Sequence, residues 1–364
     1  MARQNTTGLR RGWTTGACAA AASRAAYSAL LTGHFPDPVA IRLPRGQTPS
    51  FPLSLAEQSD GRARAGIVKD AGDDPDVTQG ALIVAELAWA APGSGIHFRA
   101  GEGVGTVTRP GLALPVGEPA INPAPRAMIS ETLTELAEAN GARSPDLTVT
   151  IAIPGGERLA EKTMNARLGI IGGLSVLGTT GIVVPYSCSS WIHGIQRGID
   201  VARAAGFEHI AAATGTTSER AVQRFYDLPE AALIDMGDFA GGMLKYLRRH
   251  PVPRLTLAGG FAKIAKLAQG HLDLHSSRSR LDPAALAKVL AGLGANAATV
   301  AAAAEAESAG AILDLAGSRR AALAKAVARQ AREVALATLS GATAVDVAIV
   351  DRQGEFLARI GAER

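Results

Sequence analysis

Aromatic side chains supply only 4% of the 364 residues and charged ones 19%, so the chain lacks the stacking residues and Lys/Arg runs from which a nucleic-acid surface is built. Cysteine is equally scarce. Cys18 and Cys188 stand far apart with no C-x-x-C pair, which removes disulfide scaffolding and the common zinc and iron–sulfur sites. They read as small apolar side chains in a reducing, cytoplasmic compartment. Also missing are the G-x-G-x-x-G and Walker strings of nucleotide-dependent oxidoreductases and kinases, and any repeat of roughly 20–50 residues. What is present is an apolar fraction of 47% and a net charge of +4, enough for two domains with cores of their own and suited to a small anionic ligand.

Two segments imitate membrane or export signals, and both fail on composition. Arg3, Arg10 and Arg11 precede a small apolar run at Gly16–Ala22, but Arg24 interrupts it, and Thr14-Thr15 predicts a capped helix to about Leu31, stopped at Gly33. The span Leu168–Gln196 carries no Asp, Glu, Lys or Arg. Its glycines, Pro185 and its Thr and Ser residues predict buried strand and loop instead of a membrane helix.

Short alternating runs follow the first helix: Val39–Leu43 with Phe51–Leu55, then Ala65–Val68, Gly95–Arg99, Gly105–Thr108 and Leu147–Ile153, while Arg126–Asn140 has helical spacing. Beyond Gly181 the pattern alternates. Strands at His209–Ala213, Ala232–Met236 and Arg254–Ala258 are separated by helices at Gly194–Ala205, Ser218–Tyr226, Phe239–Arg249 and Ala262–Ala268. An Ala-rich helical stretch from Pro283 to Ser340, broken near Gly292, Gly294, Gly310 and Gly317, precedes a hairpin across Gln353-Gly354. The expected class is α/β: an α+β domain at 1–180 with Gly/Pro-rich substrate loops, and a Rossmann-like domain with a mainly parallel sheet at 181–364.

In such a sheet ligands bind beyond the carboxyl ends of the strands. Three ends are readable: Gly215-Thr216-Thr217 after the first strand, Asp235 at the end of the second, and Gly259-Gly260 at the third, beside Lys263. Asp235 follows Gly215 at about the spacing that places a carboxylate on a ribose hydroxyl, and ordinary helix capping is the competing reading of the Gly/Thr loop. In the first domain, Lys69, Asp70, Asp73, Asp74 and Asp76 crowd one Gly/Pro loop, where like charges bind a cation, pair with bases, or raise one carboxyl for proton transfer; a solvated turn is the alternative. The loops at 101–105 and 117–126 combine glycines that admit close backbone approach with Arg109 and Arg126, which can grip carboxylates, or are hairpin turns with surface arginines. Lys162, Arg167 and His275 are further donors. His271 and His275 would share one helix face, and a metal site there would still need a third ligand.

In order, Leu9–Ala21 (LRRGWTTGACAAA), Val68–Thr78 (VKDAGDDPDVT), Gly101–Val107 (GEGVGTV), Gly117–Pro123 (GEPAINP) and Asn165–Val183 (NARLGIIGGLSVLGTTGIV) resemble the CbiD family, the cobalt-precorrin-5B C(1)-methyltransferases of cobalamin biosynthesis. The resemblance implies methyl transfer from S-adenosylmethionine to carbon 1 of a cobalt-precorrin, a polycarboxylate tetrapyrrole, giving cobalt-precorrin-6A, within a two-domain α/β architecture. Cobalt then arrives with the substrate, and no protein-bound metal is expected. On this reading Gly215, Thr216, Thr217, Asp235, Gly259 and Gly260 hold the donor; Lys69, Arg109, Arg126, Lys162, Arg167 and His275 face the macrocycle's carboxylates; and Asp70 or Asp73 manages the accompanying proton. A non-catalytic escort of tetrapyrrole intermediates is the alternative function. A homo-oligomer and transient contact with other enzymes of the pathway are compatible with either, and neither nucleic acid nor membrane is an expected partner.

Overall fold

The computed structural model describes residues 8–141 and 145–361, which divide into two compact units, one ending at Ser187 and the other beginning at Cys188. Arg3 lies outside the described residues. No helix among them is long and apolar enough to cross a membrane.

The first unit is built around helix α1 (Thr15–Thr32). Thr14 Oγ1 accepts from the Ala17 amide at 3.1 Å, and Gly33, at φ +78°, closes the other end in the left-handed conformation. Every residue from Thr15 to Ser23 is buried, so the helix is enclosed on all sides through its first turns. Its alanines permit this, because small side chains let α2 (Pro123–Ala139) and a sheet approach the helix from different directions. That sheet comprises β1 (Leu55–Ser59), β2 (Arg62–Val68), β3 (Leu82–Trp89), β4 (Ile96–Ala100) and β5 (Leu147–Ala152), in the order β1-β2-β3-β5-β4. Only β4 and β5 run parallel. Strand β5 alternates buried and half-buried residues along its length, which puts Leu147, Val149 and Ile151 into the core with α1.

The strands expected at Val39–Leu43, Phe51–Leu55 and Gly105–Thr108 shrink to two-residue ladders, Val39–Ala40 on Ser50–Phe51 and Thr106–Val107 on Ile170–Ile171, and a further short ladder pairs Gly12–Trp13 with Ile182–Val183. Pro38, Pro49 and Pro52 flank the first of these and offer no N–H to extend it.

The second unit carries β6 (His209–Ala213), β7 (Leu233–Asp235), β8 (Arg254–Gly260), β9 (Ala344–Val350) and β10 (Phe356–Ile360) in the order β7-β6-β8-β9-β10, parallel except for β10. Helix α3 (Cys188–Ala204) starts six residues ahead of its expected Gly194; the serines and His193 of this stretch end the uncharged span as a helical turn. Then α4 (Thr216–Tyr226), α5 (Ala240–Leu247) and α6 (Phe261–Ala268) follow β6, β7 and β8. The Ala-rich stretch forms α7 (Pro283–Gly292), α8 (Ala297–Ala304), α9 (Ala309–Leu315) and α10 (Arg320–Leu339). Gly310 sits inside α9, and the break expected there falls at 305–308, where Ser308 caps the next helix. Ala211, Ala213, Ala258 and Ala348 face Val222 of α4 on one side of the sheet, while Ile210, Ala212, Leu257 and Val347 pack with α3, α5, α6 and α10 on the other. The chain therefore changes face between β6 and β8, which is the switch point at which open α/β sheets bind ligands.

Candidate functional site

At that switch point a cavity of about 750 Å³ opens at the carboxyl edge of the second unit's sheet, within the range of small-molecule sites. Its walls are the turns after β6 (Thr214–Ser218), β8 (Gly260–Lys263) and β9 (Val350–Gln353), with residues of α9 and Arg320 opposite. Gly215 and Gly260 are the N-caps of α4 and α6, and neither helix has a side-chain cap, so first-turn amides remain as donors at the cavity edge. Gly259 keeps β8 close to the Thr214 turn, because a Cβ there would lie 2.8 Å from Thr214 Oγ1.

The cavity's cations differ in what already holds them. Lys263 Nζ is paired with Asp238 and Arg320 with Asp314 at 3.2 Å. Arg352, exposed in the turn after β9, also lines the wall. Beside it, Asp351 Oδ1 accepts from the amides of Gln353 and Glu355, both at 2.9 Å.

Of the expected donor residues, Gly215, Thr216, Thr217 and Gly260 line the cavity and Gly259 supports it from behind. Asp235 does not line it. The register pairs Asp235 with Ala213, which sets it one strand away at the height where the Thr214–Ser218 turn begins. The turn after β9 was legible only as a hairpin; that it would join the cavity depends on β9 lying beside β8, which local sequence does not reveal.

Most of the acidic loop of the first unit is engaged with its surroundings. Lys69 is 1% exposed, and its Nζ meets Asp76 Oδ2 at 2.7 Å, while Asp76 Oδ1 accepts from Thr78 N and Oγ1 at 2.7 and 2.6 Å. Lys69 thus serves the loop and presents no ammonium to a ligand. Asp70 takes both terminal nitrogens of Arg10, with Arg10 Nη2 at 2.9 Å from Oδ1, and the Gly72 amide at 2.9 Å. Those bonds, that to Arg10 foremost, hold its carboxyl down at about 2, which makes it fixed negative charge and a weak proton acceptor. Asp73 is exposed and accepts from the Arg10 amide at 2.6 Å.

The glycines of 101–105 approach backbone, not ligand. A Cβ on Gly103 would lie 1.9 Å from Ile153 O, and one on Gly156 or Gly173 would strike Gly103 O at 2.3 or 2.2 Å; three chain segments meet at Gly103. Arg126 is likewise spent internally, donating to Ile121 O at 2.8 Å and Pro119 O at 3.1 Å and pairing with Glu118 at 2.8 Å. Arg109 and Lys162 are exposed; Arg167 is half-buried and is not without a partner. His271 and His275 lie in a loop, not a helix, and His275 Nδ1 meets Ser277 Oγ at 2.8 Å. Among the described residues no group of three His, Cys, Asp or Glu side chains is placed to hold a metal.

A CbiD family model matches residues 2–185, and a model of the CbiD C-terminal domain matches residues 273–361. A cobalt-precorrin-5B C(1)-methyltransferase of Paramagnetospirillum magneticum is 60% identical over 96% of this chain and 97% of its own. Those of Brucella anthropi and Halorhodospira halophila are each 57% identical, over 97% and 99% of this chain and 96% of their own. A crystal structure of a cobalamin biosynthesis protein (CbiD) from Archaeoglobus fulgidus aligns at 28% identity and a TM-score of 0.40, over 74% of this chain and 83% of that one.

Proposed function

The chain belongs to the CbiD family, and from that premise we propose that it is an S-adenosylmethionine-dependent methyltransferase acting at carbon 1 of cobalt-precorrin-5B. The observation that carries this reading is identity of 57–60% to proteins so named, over nearly the whole length of both chains. The cavity supports it by size and position. The donor, when bound, supplies an electrophilic methyl group on a sulfonium. The chain's own part is to hold and orient: the turns at Gly215–Thr217 and Gly259–Gly260 give backbone donors and close approach, and Asp235, at the end of the neighbouring strand, is the carboxylate suited to a ribose hydroxyl. Most of the acceleration in such a transfer comes from positioning.

In the first unit, Arg109 and Lys162 are the exposed cations suited to the macrocycle's carboxylates, and Asp73 is the acidic-loop member suited to take the accompanying proton. The test is transfer of labelled methyl from S-adenosylmethionine to cobalt-precorrin-5B by the purified chain. Incorporation at carbon 1 is the expected result; tight tetrapyrrole binding without incorporation would turn the protein into an escort.

A further inference from the structure

Resting on the donor site just proposed, we infer that the adjacent pair Asp351-Arg352 recognises the zwitterionic α-amino-acid head group of the donor. Such a head group carries a carboxylate and an ammonium on one carbon, so it needs opposite charges side by side. The cavity wall presents that combination in the turn after β9.

The other two cations of the wall are committed, Lys263 to Asp238 and Arg320 to Asp314, whereas Arg352 makes no ion pair among the described residues. Asp351 spends Oδ1 on the two turn amides, and among the described residues Oδ2 takes no hydrogen bond. The turn is also well supported. A Cβ on Gly354, at φ +86°, would lie 3.6 Å from Thr217 Cγ2, so the turn packs against the first residues of α4 and holds the pair beside that helix's uncapped amides. Phe261, Leu313 and Leu357 are among the apolar residues of the wall, a surface suited to the uncharged adenosine.

The geometry also sets the two ends of the ligand apart. Asp235 ends β7 and Asp351 follows β9, three strands along, or about 14 Å at the usual strand spacing. That separation suits a ribose at one end and an amino-acid head at the other.

The experiment is calorimetry on the full chain with two ligands, S-adenosylhomocysteine, which has the head group, and 5′-methylthioadenosine, which lacks it. Arg352→Gln is expected to weaken adenosylhomocysteine about tenfold or more, as for loss of a charge-assisted carboxylate contact, and to leave methylthioadenosine unchanged. Asp351→Asn keeps an amide oxygen for the two turn N–H groups and should show the same selectivity. Equal adenosylhomocysteine affinity in the unmodified chain and Arg352→Gln overturns the inference while leaving the donor site standing, and so does a parallel loss of both ligands. No adenosylhomocysteine binding by the unmodified chain overturns the donor site itself, and this inference with it.

Discussion

The Lys69 ammonium, 1% exposed, is neutralised by Asp76 at 2.7 Å. Burial alone would push the Asp76 carboxyl up; the Lys69 charge and the two Thr78 bonds outweigh it and leave the carboxyl below its ordinary range. The pair ties the start of the acidic loop to its end. Replacing Lys69 with Met strands Asp76, and because Asp76 keeps 24% exposure the expected loss is about 2–3 kcal/mol, somewhat under that for a fully buried pair. Urea denaturation followed by circular dichroism measures it. The double variant Lys69→Met/Asp76→Asn should recover part of the loss, since neither partner is then left charged.

Acid should act on the same loop through Asp70. Its carboxyl is held at about 2 in the folded chain against about 4 when unfolded, so its contribution to stability is complete above pH ~4 and is lost as pH falls through about 2. Asp70→Asn should therefore flatten the decline in denaturation midpoint across this window while lowering the midpoint at pH 7. An unchanged acid profile in Asp70→Asn would show that the Arg10 contact does not couple to folding.

Two glycines that both have positive φ should respond very differently to alanine. Gly103, at φ +71°, has Ile153 O at 1.9 Å from an added Cβ, whereas Gly117, at φ +91°, has nothing within 4 Å. Gly117→Ala meets only the left-handed backbone penalty, roughly 1 kcal/mol. Gly103→Ala must also push apart two backbones and should cost about 4 kcal/mol or more, enough to cut soluble yield. Thermal melts of the pair, with expression level for Gly103→Ala, provide the comparison.

The elements legible in the sequence are those whose signals are local. Thr14 and Gly33 bracket α1 because capping chemistry is written in adjacent residues, and β6, β7 and β8 alternate with helices at short range. Strand β3 is different: Leu82–Trp89 contains Ala, Glu and Leu, which favour helix, and it becomes a strand because β2 and β5 pair with it on both sides. The site shows the same limit. Composition displays Lys69, Arg109, Arg126 and Lys162 as equivalent cations, yet packing spends Lys69 and Arg126 inside the protein and leaves Arg109 and Lys162 exposed. Asp351-Arg352 resembles any hairpin turn until strand order places it on the cavity wall.

Asp235 gives a prediction that separates the two ends of the proposed donor site. It lies beside Ala213 in the register, one strand from the Thr214–Ser218 turn and on the side of β6 away from β9. As the proposed ribose partner it stands three strands from the Asp351-Arg352 turn. Since adenosylhomocysteine and methylthioadenosine both contain the ribose, Asp235→Ala should weaken the two ligands by the same factor, roughly tenfold for loss of a charged hydrogen bond. Arg352→Gln should weaken only the first. The two effects should add in the double variant, because the two residues stand three strands apart and sites at such a separation act independently. Unaltered affinity for both ligands in Asp235→Ala would remove this carboxylate from the donor site and confine ligand contacts to the cavity wall between β6 and β9.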